Sequence, residues 1–178
     1  MNFFIQVSNP KYLHRISDED IKNLSDAVED SFPLKTEDAF LVWNHIYVPL
    51  SYKYDISYMI EDIVKMLKGL LENEKGSINI CWLPDTFRCD WKIEWNAGEI
   101  NILSHWDCTV GDLEELLNND NSVKMPAEQF LNEWKKILEL IVVALKHNGY
   151  SKKNCKGLDE LITVYENITD VGVLYKEM

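Results

Sequence analysis

Glycine and proline are scarce in this chain of 178 residues, seven and five, and neither is clustered. No GxGxxG phosphate loop, no P-loop and no GxSxG nucleophile elbow can be traced. The four cysteines, Cys81, Cys89, Cys108 and Cys155, include no CxxC pair, so neither a zinc knuckle nor a redox motif is supported. No apolar run approaches the roughly 20 residues of a membrane span. The apolar run at residues 3–7 is too short for a signal-peptide core and has no basic lead. We therefore expect a cytoplasmic protein whose thiols stay reduced and act mostly as small buried hydrophobes.

Positive charge is also short. Eighteen Lys and Arg stand against 30 Asp and Glu, a formal net charge of −12 with a pI near 4.7. Such a chain repels nucleic acid and anionic membranes and attracts basic partners. The only basic patch is Lys152, Lys153 and Lys156. Apolar residues at 46% and aromatics at 11% suffice for a sizeable core. The length suits one domain spanning residues 1–178.

What is present is periodic. Ser17, with Asp20 three residues on, predicts the start of a first helix, with Ile21, Leu24 and Val28 on one face and Pro33 beyond its end. Residues 40–48 are aromatic and β-branched and predict a strand. Asp55 is placed to cap a second helix carrying Ile56, Met59, Ile60, Ile63, Leu67, Leu70 and Leu71 at helical spacing. Gly76 follows it, and residues 77–83 predict a short strand before the turn at Pro84-Asp85. Thr109, with Asp112 three residues on, predicts the cap of a short acidic helix. Residues 118–122 predict a polar loop. Pro126 then opens the clearest helix, with Phe130, Trp134, Ile137, Leu138, Ile141, Val142 and Leu145 on its face and a stop at Asn148-Gly149. Residues 158–168 predict a last helix, and the final residues a possible strand. The expected architecture is α+β: an antiparallel sheet of about four or five strands packed against amphipathic helices.

Residues 88–106 predict a hairpin and its register. With Ala97-Gly98 at the tip, Trp95 faces Ile100, Ile93 faces Ile102, Trp91 faces Ser104 and Cys89 faces Trp106. Glu94 then faces Asn101, and Asp90 faces His105. A slip of one residue would set Ile93 against Asn101 and destroy the apolar face. One face of this hairpin packs inward, and the other is wet and charged.

Chemical sites find little to build on. His105 and Cys108, with Cys81 or Cys89, could supply zinc ligands, but the register puts Cys89 and His105 on opposite faces. Cys108, His105 and Asp107 are close in sequence without the geometry of a triad. Asp90 and Glu94 share the wet face, yet Lys92 between them predicts a solvated charge ladder. We expect no catalytic residue, no metal and no cofactor.

Two carboxylate clusters remain. Asp18, Glu19, Asp20, Asp26, Glu29 and Asp30 accompany the first helix, where the helix dipole accounts for several of them. Asp107, Asp112, Glu114, Glu115 and Asp120 fall in a segment, residues 107–120, that contains no Lys or Arg.

The order of elements over about residues 78–166 resembles bacterial immunity proteins of polymorphic-toxin and contact-dependent growth inhibition systems. The shared features are a Trp-rich hairpin (Trp91, Trp95, Trp106), a short acidic helix, and a long helix from Pro126 ending in Ile141-Val-Val-Ala-Leu-Lys-His-Asn-Gly-Tyr150. The resemblance implies a small cytoplasmic protein that binds a cognate toxin domain, such as a basic nuclease, and occludes its active or substrate-binding site. Expected contacts are Asp107, Asp112, Glu114, Glu115 and Asp120, then Asp90 and Glu94. The alternatives are an acidic scaffold or regulatory interaction module and, further off, a small hydrolase or metalloenzyme.

Overall fold

Phe3, Ile5, Leu41, Trp43, Val48 and Leu50 alternate with more exposed or oppositely facing neighbours, and this period of two sets the first of two antiparallel sheets. The computed structural model describes residues 2–14 and 21–169. The first sheet orders β1 (Phe3–Gln6), β2 (Ala39–Trp43) and β3 (Ile46–Leu50) side by side. The single strand expected over residues 40–48 is thus a hairpin. Its turn, Asn44-His45, places both residues at positive φ, 45° and 72°, the I′ geometry that matches strand twist.

Helix α1 (Leu24–Ser31) lies between β1 and β2 in the chain. Its cap is Asn23, whose side chain accepts the Asp26 N–H at 2.7 Å. Leu24 and Val28 are buried as expected, but Ile21 precedes the helix and is 74% exposed. Ser17, Asp18, Glu19 and Asp20 lie outside the described residues, as does the strand suggested for the C-terminus.

A π-helical turn (Tyr52–Ile56) leads into α2 (Ser57–Glu72). Ser51 caps the turn, accepting the Tyr54 N–H. Asp55 does not cap α2. It is buried, accepting the Ser51 N–H at 2.8 Å and the Thr86 hydroxyl. The α2 face predicted from spacing is buried from Ile56 to Leu70, with Leu71 packed at its margin.

The second sheet orders β4 (Lys75–Trp82), β5 (Phe87–Asn96), β6 (Glu99–Thr109) and β7 (Ser122–Pro126). The β5–β6 register is the expected one, pair for pair, from Cys89↔Trp106 to Trp95↔Ile100. A bulge at Arg88/Cys89 shifts the register and breaks the alternation of β6, where Asp107 and Cys108 are both exposed, while β5 alternates through to Phe87. Gly76 does follow α2, as a strand residue of β4 under Trp95. Of the polar loop expected over residues 118–122, only Asp120 and Asn121 lie between elements, since a helix runs through Asn119 and Ser122 opens β7. Its alternation is only Val123 and Met125 inward, too brief to stand out in the sequence.

Helix α3 (Glu114–Asn119) starts later than expected from a Thr109 cap. Helix α4 (Ala127–His147) buries every residue predicted for its face. Asn148 and Gly149, at φ 78°, end it, and α5 (Leu158–Asn167) follows.

Buried side chains of both sheets and of the five described helices form one continuous core. Trp91 is its hub, with ring contacts to Phe3, Trp43, Trp82, Phe87 and Trp134 at 5.4–6.5 Å. The fold is therefore α+β, but with seven strands in two sheets among the described residues rather than one sheet of four or five.

The free edge of β1 is closed by α4. Buried Glu133 accepts the Ile5 N–H at 2.7 Å, and Lys136 donates to the Ile5 carbonyl at 3.4 Å and to Glu133 at 2.5 Å. An ion pair on a helix thus stands in for a neighbouring strand and blocks edge pairing.

Candidate functional site

Because β4–β7 alternate strictly over most of their length, everything that does not face the core faces solvent on one broad surface. Across it run cross-strand rows: Cys81–Asp90–His105, Asn79–Lys92–Leu103–Ser122 and Ser77–Glu94–Asn101–Lys124. Two shallow grooves follow these rows. One, of about 820 Å³, includes Ser77, Glu94, Glu99, Asn101 and Lys124. The other, of about 540 Å³, includes Cys81, Asp90, Leu103, His105 and Asn121.

The surface is nearly neutral. Lys92 pairs with Glu94 at 2.8 Å and Lys124 with Glu99 at 2.9 Å, so two carboxylates are balanced locally. The charge ladder read from residues 90–94 is present in this form. His105 lies 3.3 Å from Asp107 along the same strand.

The row Cys81–Asp90–His105 has the residue types of a nucleophilic site in the wrong order. The Cys81 thiol donates to the Asp90 carboxylate, and that hydrogen bond is the main reason its pKa is raised. A thiol held protonated is a poor nucleophile at neutral pH. Cys89 lies on the opposite, buried face, where desolvation pushes its thiol up strongly. Cys155 is also buried, and its pKa is raised to about 11 for the same reason. Cys81 and Cys108 are exposed, so only two of the four thiols are the buried hydrophobes expected. Among the described residues no group of three or more His, Cys, Asp or Glu is placed to hold a metal ion. No described helix is long and apolar enough to cross a membrane.

The acidic segment lies along the β6 edge where β7 stops. The Asn118 side chain accepts the Trp106 N–H at 2.9 Å and donates to the Trp106 carbonyl at 2.8 Å, which continues the ladder in place of a strand. The Asn121 carbonyl accepts the Ser104 N–H at 2.8 Å. The Asp120 carbonyl takes the Trp43 indole N–H at 2.9 Å and the Asn44 amide at 2.8 Å, tying α3 to the first sheet. Neither Asn44 nor the two asparagines stood out in the sequence, because a side chain that mimics a strand leaves no periodic trace.

These bonds order the predicted contacts differently. Asp107, Asp112, Glu115 and Asp120 are exposed. Glu114 is half-buried and turns inward, accepting both the N–H and the hydroxyl of Thr109, while the Thr109 oxygen accepts the Leu113 N–H at 3.0 Å. The helix cap foreseen at Thr109 with Asp112 is not formed: α3 starts after Leu113 without a side-chain cap, and Thr109 instead braces the preceding turn through Glu114 and the Leu113 N–H. Backbone and Thr109 hydrogen bonds hold the Glu114 carboxyl below the usual range. Asp112 sits at φ 55° beside Gly111 at 90°, in the turn leaving β6. Asp90 and Glu94 lie on the sheet face, each already engaged, by Cys81 and Lys92. Leu116, which sequence reasoning passed over, is 57% exposed among these carboxylates.

Family models, curated proteins and solved structures were compared with this chain, and none matches.

Proposed function

We propose that this chain is an immunity protein that binds a cognate toxin domain and neutralises it by covering the toxin's active or substrate-binding site. The observation that carries this reading is the segment at residues 107–120. It is firmly anchored by Asn118 and Asp120, free of Lys and Arg, and presents Glu115, Asp112 and Asp120 around the exposed Leu116. Leu116 inside that acidic ring gives an apolar centre with a charged rim, the layout of a protein interface. The overall charge of −12 favours a basic partner, and opposed fields speed association with a basic nuclease while blocking its phosphate path.

The reading needs no chemistry from this chain, only occlusion. The test is co-expression with the protein encoded immediately upstream of it. Growth arrest by that neighbour alone, and rescue when this chain is present, is the expected result. A harmless neighbour, or a toxic one that this chain neither binds nor relieves, overturns it.

A further inference from the structure

Four large apolar side chains that remain exposed, Tyr54 (49%), Tyr58 (64%), Leu83 (56%) and Val110 (47%), line one cleft of about 580 Å³. It opens between the π-helical turn and the turn joining β4 to β5. Exposed apolar residues scattered singly are ordinary, but a contiguous group of them marks a binding surface. The same cleft is lined by Asp38, Asp55 and Asp85, with Arg88 as the one cation among its lining residues.

Arg88 is engaged by Asp85. Asp55 is held only by neutral donors, the Ser51 N–H and the Thr86 hydroxyl. Asp38 makes no ion pair among the described residues. Desolvation raises both Asp38 and Asp55, and the Asp38 charge raises Asp55 further. A cation entering the cleft would relieve both. The Tyr54 ring already has Lys53 Nζ at 5.7 Å from its centre, and that ammonium is tied to the Glu29 carbonyl at 2.9 Å. The Tyr58 ring is the more open one.

We propose that this cleft is the docking site for an arginine side chain displayed by a protein partner, its guanidinium stacked on Tyr58 and paired with Asp38. Arginine fits better than lysine because a planar guanidinium stacks on an aromatic face while keeping its in-plane donors for a carboxylate. The cleft chemistry goes beyond the immunity reading and does not depend on it.

The probe is a capped Gly-Arg-Gly tripeptide, titrated across the millimolar range into the full chain with labelled tyrosine rings. Its control replaces arginine by citrulline, equal in shape and uncharged. The arginine peptide should shift the Tyr54 and Tyr58 ring signals saturably, and the citrulline peptide should not. Asp38→Asn and Tyr58→Ala should each weaken binding by about 3-fold or more, the scale of one exposed cation–π or ion-pair contact. Asp159→Asn, remote on α5, should leave binding unchanged. Near-UV circular dichroism confirms that each variant is folded, and Asp38→Asn alone suffices if Tyr58→Ala is not. No saturable shift, equal binding of the citrulline peptide, or unaltered affinity in folded Asp38→Asn overturns the proposal. A chain that rescues its host yet ignores the arginine peptide loses the cleft assignment alone.

Discussion

Trp91 and Lys92 are neighbours in sequence and opposites in consequence. The Trp91 ring is buried against five others, so Trp91→Ala should cost roughly 3–5 kcal/mol, the range for a large aromatic removed from a core. Lys92 is exposed and paired only with Glu94, so Lys92→Ala should cost about 0–1 kcal/mol. Chemical denaturation separates them, and equal midpoints would contradict the register. Gly76 carries a different constraint. A Cβ there would meet the Trp95 indole at 2.8 Å or less, and that indole is fixed by its N–H bond to the Asn73 carbonyl at 2.8 Å. Gly76→Ala should therefore destabilise by about 1–3 kcal/mol, the cost of overpacking. A melting temperature at or above the parent's would show that Trp95 is free to move aside.

At the scale of elements, the β5–β6 hairpin was legible because its pattern offers one acceptable register. Glu94, Lys92 and Asp90 cannot go inward, and Trp95, Ile93 and Trp91 cannot all go outward. The β2–β3 hairpin was not legible. Its turn is Asn-His rather than Asn-Gly, and apolar residues on both sides make two strands read as one. The acidic helix was foreseen with its cap at Thr109, but Leu113 precedes the helix uncapped, and Thr109 binds Glu114, five residues on, across a turn with Gly111 and Asp112 at positive φ. Spacing rules written for a regular first turn miss such a detour. Thr109→Ala should cost about 1 kcal/mol, the scale of a lost side-chain hydrogen bond. The Glu114 carboxyl titrates below its usual range when folded, so its contribution is present above the unfolded value near 4.5 and fades as pH falls through the folded one. Acid unfolding followed with and without Thr109 should show that low-pH loss in the parent and a weaker one in Thr109→Ala. Identical acid limbs would show that Thr109 does not hold the Glu114 carboxylate.

For the molecule as a whole, charge and fold point to different parts of the surface. The sequence reading placed Asp90 and Glu94 with the acidic segment as one contact set. The fold sets them on a sheet face where Lys92, Lys124, Lys75 and Arg88 also stand, while Asp112, Glu115 and Asp120 make no ion pair among the described residues. Burial and pairing separate residues that composition treats alike, and a single sequence does not reveal which carboxylate has a local partner. Among the candidate contacts, Glu115 is the cleanest to reverse. Glu114 supports its own helix, and Asp112 occupies a left-handed backbone where a larger side chain is strained.

The central question is whether this segment meets a basic toxin domain. The most direct measurement is the association rate of the chain with the domain encoded beside it, followed over a series of salt concentrations for the parent, Glu115→Lys and Leu116→Ala. The parent rate should fall steeply as salt rises. Glu115→Lys should associate several-fold more slowly at low salt, with a flatter dependence, and approach the parent at high salt. Leu116→Ala should keep the parent's association rate and dissociate faster, losing about 1 kcal/mol or more of affinity as a hot-spot residue does. Binding in which both variants match the parent at every salt concentration would contradict the assignment of residues 107–120 as the interface.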